Sequence, residues 1–312
     1  MLPAVSPDQE DDGFMAKIDK KLYDLIDITS PRQTLKEIKY VFALVHPDFD
    51  FRRIEQVCFD ITRLFNGGYP GYRASNTKYH NQEHTCSVVL ALVRLTHGLI
   101  VSGIHFSPRV IELGIIAAFF HDTGLIQTEE DLQGTGAQYT IGHEERSINF
   151  MTDYLAAKGL SAEDINDCTH IIQCTILDLA FDEIPFKSKE AKTMGQVMGT
   201  ADLIAQIADR SYLEKLPLLF MEFEEAKMPG FESPLELFKK TEEFYHSVAR
   251  KRLTKEMGNV APAARSHFRE RWGIDRDLYG EAMQSNIEYT KRLEIDCQES
   301  YDCLKDKLRR KV

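Results

Sequence analysis

The chain predicts an all-α protein, and three observations carry that prediction. Apolar residues recur at helical spacing through most of the sequence, punctuated by Ser-Pro starts and glycine stops. Strand-like alternation of apolar and polar residues is weak everywhere. The run Ile115 to Phe120 is apolar on every side, which marks a central helix enclosed by others.

Residues 1–13, with Pro3, Pro7 and several acids, read as a loose tail. Ser30-Pro31 opens a helix to about Val45, and Pro47 follows its end. Residues 50–66 place Ile54, Val57, Cys58, Ile61, Leu64 and Phe65 on one face until Gly67-Gly68 stops them. A turn-rich loop over 67–78 leads into a helix over 81–99 with Val88, Val89, Leu92 and Leu95 as its buried stripe. Ser107-Pro108 starts the central helix, where Gly114 leaves room for a close neighbour and Gly124 follows the end. Residues 124–141 are polar with three glycines, which predicts a mobile loop. Further helices are expected over 142–158, 162–177, 192–208, 210–228, 233–257 and 276–310, with a loop holding Asp182, Pro185 and Lys187 between the second and third of these. The last stretch is highly charged, with a thin stripe of Met283, Ile287, Tyr289 and Leu293, as suits a peripheral or dimer-forming helix. The expected organisation is a tail over 1–13, a main helical domain over 14–257, and a C-terminal helical appendage over 258–312 packed on that core.

With 312 residues, 43% hydrophobic, the chain can bury one large core or two modest ones. The net charge of -11 and a pI near 5.4 disfavour nonspecific nucleic-acid binding. The six cysteines, Cys58, Cys86, Cys168, Cys174, Cys297 and Cys303, form no CxxC pair and read as the reduced thiols of a cytoplasmic protein. The first residues lack the apolar segment of a signal peptide, and no uninterrupted apolar run approaches membrane-spanning length, so a soluble protein is expected.

The chemistry concentrates in Tyr79-His80-Asn81-Gln82-Glu83-His84, then His121-Asp122, then Asp202 in an apolar stretch. A carboxylate directly behind the apolar run 115–120 needs a partner, because an unpaired buried charge is costly. His84, His121, Asp122 and Asp202 together offer two imidazoles and two carboxylates. Such a set suits zinc, manganese, iron or nickel, with magnesium admitted at a neighbouring carboxylate position. One or two divalent ions are therefore expected, and metal-assisted hydrolysis of a phosphoester with them. His80 and His84 are one helical turn apart if the helix extends that far; a non-helical His80 would be free for a different task. His46, His97, His105, His246 and His267 have no such company and read as packed or surface residues.

The order His84, His121-Asp122, Asp202 resembles the four ligands of the HD-domain metal-dependent phosphohydrolase superfamily. Within it, the segment from Tyr79 to His84 is similar to the YHNxxH motif of class I cyclic-nucleotide phosphodiesterases. The resemblance spans about residues 75–210. It implies a phosphodiesterase-like helical bundle with additional N- and C-terminal helices, a catalytic domain over 14–257, and a small phosphoester substrate, with a nucleotide as the expected class. It also implies metal ligation by His84, His121, Asp122 and Asp202, and a general acid in His80, with Asp122 as a bridge between two ions. The family usually continues as HDxxHxG, whereas this chain reads His121-Asp122-Thr123-Gly124-Leu125.

His143, opening a helix after the 124–141 loop, is a candidate for the missing second-metal or phosphate ligand, with Arg146 beside it; equally, it is a helix-start residue ahead of Glu144 and Glu145. Asn81 and Gln206 are candidate substrate contacts. Two other classes compete with the hydrolase: a di-iron oxygenase, which extra histidine ligands such as His143 would favour, and a noncatalytic nucleotide-binding sensor, which would have little use for His80.

Overall fold

A computed structural model describes residues 20–298 and 300–310. The tail expected over 1–13 lies outside these residues. The protein is all-helical, with twelve α-helices and no strand among the described residues. They are α1 (Pro31–Val45), α2 (Arg52–Phe65), α3 (Gln82–Val101), α4 (Pro108–Phe120), α5 (His143–Ala157), α6 (Ala162–Gln173), α7 (Lys189–Ile207), α8 (Tyr212–Glu225), α9 (Pro234–Glu243), α10 (Ala263–Trp272), α11 (Leu278–Cys297) and α12 (Tyr301–Lys307).

Local chemistry sets many of the starts. Ser30, Ser107, Ser161, Ser188 and Ser233 each accept a backbone N–H three residues on, and Pro31, Pro108 and Pro234 occupy the first helical position. Helix α3 lies at the centre, with α1, α4, α7 and α10 around it. Its residues from Val88 to Val93 are fully buried. This helix is long and apolar enough to cross a membrane, which differs from the expectation that no run approaches that length; however, 72% of its apolar window is buried inside the fold, so its apolarity serves the core. Gly114 does admit a neighbour: a Cβ there would lie 2.4 Å from the Met194 sulfur on α7.

The C-terminal part departs from expectation in detail. The helix expected over 233–257 is α9 followed by π-helical turns at Phe244–Ala249 and Arg252–Glu256. The single helix expected over 276–310 breaks at Gln298, which adopts φ +48°, into α11 and α12. Cys297 and Cys303 are joined by a disulfide across that break, which corrects the reading of all six cysteines as free thiols; the other four are buried and free. Helix α10 was not foreseen, because its buried residues Ala264, His267 and Phe268 are diluted by Arg265, Arg269, Glu270 and Arg271. Phe268, Leu278, Tyr279 and Leu293 belong to the same apolar core as α1 and α4.

Candidate metal centre

Backbone capping aims the first histidine. Asn81 is the N-cap of α3: its side-chain oxygen accepts from the N–H groups of Glu83 (2.9 Å) and His84 (3.1 Å), and its amide nitrogen donates to the Lys78 carbonyl (3.0 Å). Both ends of the Asn81 amide are thus engaged by backbone, and Asn81 directs the start of α3. His80 precedes the helix, in non-helical backbone. His121 caps the C-terminal end of α4, and its Nδ1 donates to the Ala118 carbonyl at 2.8 Å, which turns Nε2 into the site. His143 is fixed the same way, Nδ1 donating to the Thr140 carbonyl at 2.8 Å.

These anchors bring five predicted residues together. Nε2 of His84 lies 3.5 Å from Asp122 Oδ2 and 3.3 Å from Asp202 Oδ1. Nε2 of His121 lies 3.1 Å from Asp122 Oδ2 and 3.8 Å from Asp202 Oδ1. His143 Nε2 meets the other oxygen of Asp122, Oδ1, at 3.3 Å. Ligand-type atoms of His84, His121 and Asp122 all fall within 4.8 Å of one another. The segments are far apart in sequence and come from α3, the end of α4, the start of α5 and α7.

The donor set fits a divalent cation. His121 is 1% exposed and Asp122 4%, yet among the described residues His121 Nε2 and Asp122 Oδ2 have no hydrogen-bond partner, because their 3.1 Å approach lacks the alignment of a hydrogen bond. Buried polar atoms are rarely left so. The electrostatics point the same way. Against the burial that penalises its charge, Asp122 and then Asp202 raise His121 to about 9. Burial likewise opposes, and Asp122 outweighs it, in raising His143 to about 9. Asp122 is held well below the usual carboxylate range by His121, and Asp202 is lowered by His84, both against burial. Without an ion, protons hold the carboxylates together; a cation would replace them.

Sequence reading missed the partner of His80. Glu222 on α8 is 3% exposed; its Oε2 lies 2.6 Å from His80 Nδ1, and its Oε1 accepts the Tyr79 N–H at 2.6 Å. That contact leaves Nε2 as the free ring nitrogen of His80, whose ring centroid is 5.8 Å from His84 and 5.9 Å from His143. The signal was an acid on the buried stripe of α8, with Tyr212, Leu216 and Leu219. Lys215, on the same stripe, bonds Glu83 (2.8 Å) and Asp209 (2.6 Å).

The 124–141 loop, expected to be mobile, is tied down at several points. Gly124 N–H donates to Ser147 Oγ (2.8 Å), Gly136 N–H to Asn76 Oδ1 (2.8 Å), and Thr135 Oγ1 to Glu225 (2.6 Å). Gly124 packs so tightly on α5 that a Cβ there would lie 2.0 Å from the His143 carbonyl oxygen. Arg146 donates through Nε to the Gly124 carbonyl (2.8 Å) and stacks on Tyr139, 3.6 Å from its ring centroid, so it fastens this loop to α5. Gln206 lies one turn beyond Asp202 on α7, half-buried. Four other histidines pair away from the site: His97 meets His267, His105 meets Glu190, and His246 meets Glu242, while His46 and His170 lie against the rings of Phe49 and Phe186.

The model of a protein family described as Npun_R2479-like matches residues 120–266. That stretch includes His121, Asp122, His143, Asp202 and Glu222 and excludes His80 and His84. No curated protein matches the chain.

Proposed function

We propose that this chain is a metal-dependent phosphohydrolase acting on a small phosphoester, with a nucleotide, cyclic or monoester, as the preferred substrate class. One observation carries the reading: His121 Nε2 and Asp122 Oδ2, both buried and both without a hydrogen-bond partner, face each other within reach of His84 and Asp202. His84, His121, Asp122 and Asp202 would hold one cation, and Asp122 Oδ1 with His143 would border a second. Such an ion supplies Lewis-acid polarisation of a phosphoryl oxygen and neutralises charge on the phosphate.

The chain's own groups supply the rest. Glu222 orients the His80 ring through Nδ1, so His80 Nε2 is the nitrogen available to protonate the departing ester oxygen as water adds to phosphorus and the ester bond to phosphorus breaks. His121 and His143, anchored through Nδ1 on backbone carbonyls, keep their Nε2 atoms directed at Asp122. The resemblance of the segment 79–84 to the phosphodiesterase motif supports the general-acid role of His80.

The test is metal analysis of the purified protein, followed by cyclic nucleotides, nucleoside monophosphates and aryl phosphates assayed with manganese, magnesium, nickel and zinc. Metal-dependent turnover is expected, and His80→Ala should lower it by about 100-fold or more with bound metal unchanged. A His80→Ala variant at full rate would remove the general acid from the scheme. No turnover on any ester with metal fully bound would end the hydrolase reading.

His143 favours one second reading, a di-iron oxygenase, since it places a further imidazole 3.3 Å from Asp122. Two irons per chain together with substrate-dependent oxygen uptake would decide for it.

A further inference from the structure

Arg94 is a buried cation with too few partners. It lies on α3, about three turns beyond His84, and is 3% exposed. Its Nη1 donates to the Tyr279 hydroxyl at 3.0 Å, while Nε has no hydrogen-bond partner among the described residues. Among the described residues no carboxylate pairs with it. Its guanidinium is 5.7 Å from the Phe268 and Tyr279 ring centroids, near the outer limit of cation–π attraction. Every other arginine with so little exposure has compensation: Arg252, also 3% exposed, donates to the carbonyls of Cys174, Ile176 and Leu177. Burying a charge without such compensation is costly, and proteins keep it where a ligand completes the set.

Arg94 lines a pocket between the segment 22–28, α3, α7 and α11. Its base is apolar and buried, formed by Leu90, Ala205 and Ala208 with Tyr279. Its rim carries Arg210, stacked over Tyr23 at 4.5 Å, together with Asp27 and Asp209. The rim acids restrict the charge of an occupant. Asp209 is balanced by Lys215 at 2.6 Å, but among the described residues the Asp27 carboxylate accepts only from the N–H and hydroxyl of Thr29. With Lys215 set against Asp209 and the rim cation Arg210 offset in charge by Asp27, one negative charge on the ligand would be met by Arg94 and a second would find no uncompensated cation.

We propose that this pocket binds a small organic monocarboxylate, its carboxylate on Arg94 and Tyr279 and its apolar body against Leu90, Ala205 and Ala208. A planar carboxylate matches the guanidinium fork better than a sphere of charge does. The site is separate from the cluster around Asp122 and stands whether or not that cluster hydrolyses phosphoesters.

The test is thermal denaturation of the full chain with sodium butyrate, sodium benzoate or inorganic phosphate, each against sodium chloride at matched ionic strength. A saturable rise in Tm of about 2 °C is expected with a carboxylate at roughly tenfold over its Kd, with no such rise from phosphate. Arg94→Met should abolish the rise. Ala208→Leu, which fills the base and leaves Arg94 in place, should also abolish it, and keeps the test decisive if the arginine variant does not fold. No carboxylate effect beyond chloride, an undiminished effect in Ala208→Leu, or a larger effect from phosphate would overturn the assignment.

Discussion

Glu222 holds His80 by its Nδ1 and the Tyr79 backbone by its other oxygen, so one buried carboxylate fixes both the ring and the chain that carries it. It is a positioning residue, and Glu222→Gln separates its charge from its shape. The amide can still accept from Nδ1, but it no longer balances an imidazolium. If His80 acts as the proposed acid, turnover should fall by about 10- to 100-fold with metal stoichiometry unchanged. Steady-state kinetics alongside metal analysis checks this. A loss of metal instead would place Glu222 among the groups that build the cation site. Of these contacts, the sequence exposes only the ingredients. The pattern from His80 to His84 and the pair His121-Asp122 are visible as chemistry, whereas the Glu222 contact joins positions 142 residues apart. Asn81, between the same two histidines, also caps the helix that carries His84.

Helices α3 and α10 meet through two buried histidines, His97 and His267, whose Nδ1 atoms are 3.3 Å apart. One ring must donate and the other accept, so at least one of the two is neutral. Burial, then Arg94, hold His267 well below its usual range, and burial lowers His97 as well. Because these folded-state values lie below the unfolded value of about 6.5, the unfolded chain binds more protons in acid. The contribution of the pair is therefore complete above about pH 6.5 and is lost as pH falls through that range, by up to about 1.4 kcal/mol per pH unit for each ring. His121 and His143 act in the opposite sense in the metal-free protein, since their raised values favour the folded state at low pH and lose that contribution as pH rises toward 9. His267→Leu isolates the pair: it should flatten the fall of Tm between pH 7.5 and 5.5 relative to the parent. Parallel Tm profiles for the two proteins would show that the rings titrate freely in the folded state. Helix α10 escaped sequence reading for the same reason that it matters here. Its inward face is one alanine, one histidine and one phenylalanine, too small a stripe to stand out among charged neighbours.

Across the molecule, the main apolar core runs from Leu25 to Leu304, beside a small second cluster of Cys174, Phe181, Ile184 and Met257, and the helices after Gly258 help to close the main core over α3. Removing residues 258–312 should then expose the face of α3 that carries Arg94 and His97, and yield an aggregating or unfolded product by circular dichroism and size exclusion. A stable, helical, monodisperse fragment ending at residue 257 would instead show that the earlier helices complete a core by themselves.

Helix content, the Ser-Pro starts, the central position of the run 115–120 and the identity of the ligand-type residues were all legible in the linear chain. Each depends on spacing of a few residues and on capping groups next to the backbone they satisfy. Long-range contact settled the rest. It brought His143 rather than a neighbour of His121 to the second oxygen of Asp122, and it gave His80 its carboxylate. It tied down a glycine-rich loop and left Arg94 buried with no counter-charge among the described residues. Local propensity carries no information about which distant faces will meet, because pairing energy arises only when packed helices remove both partners from water.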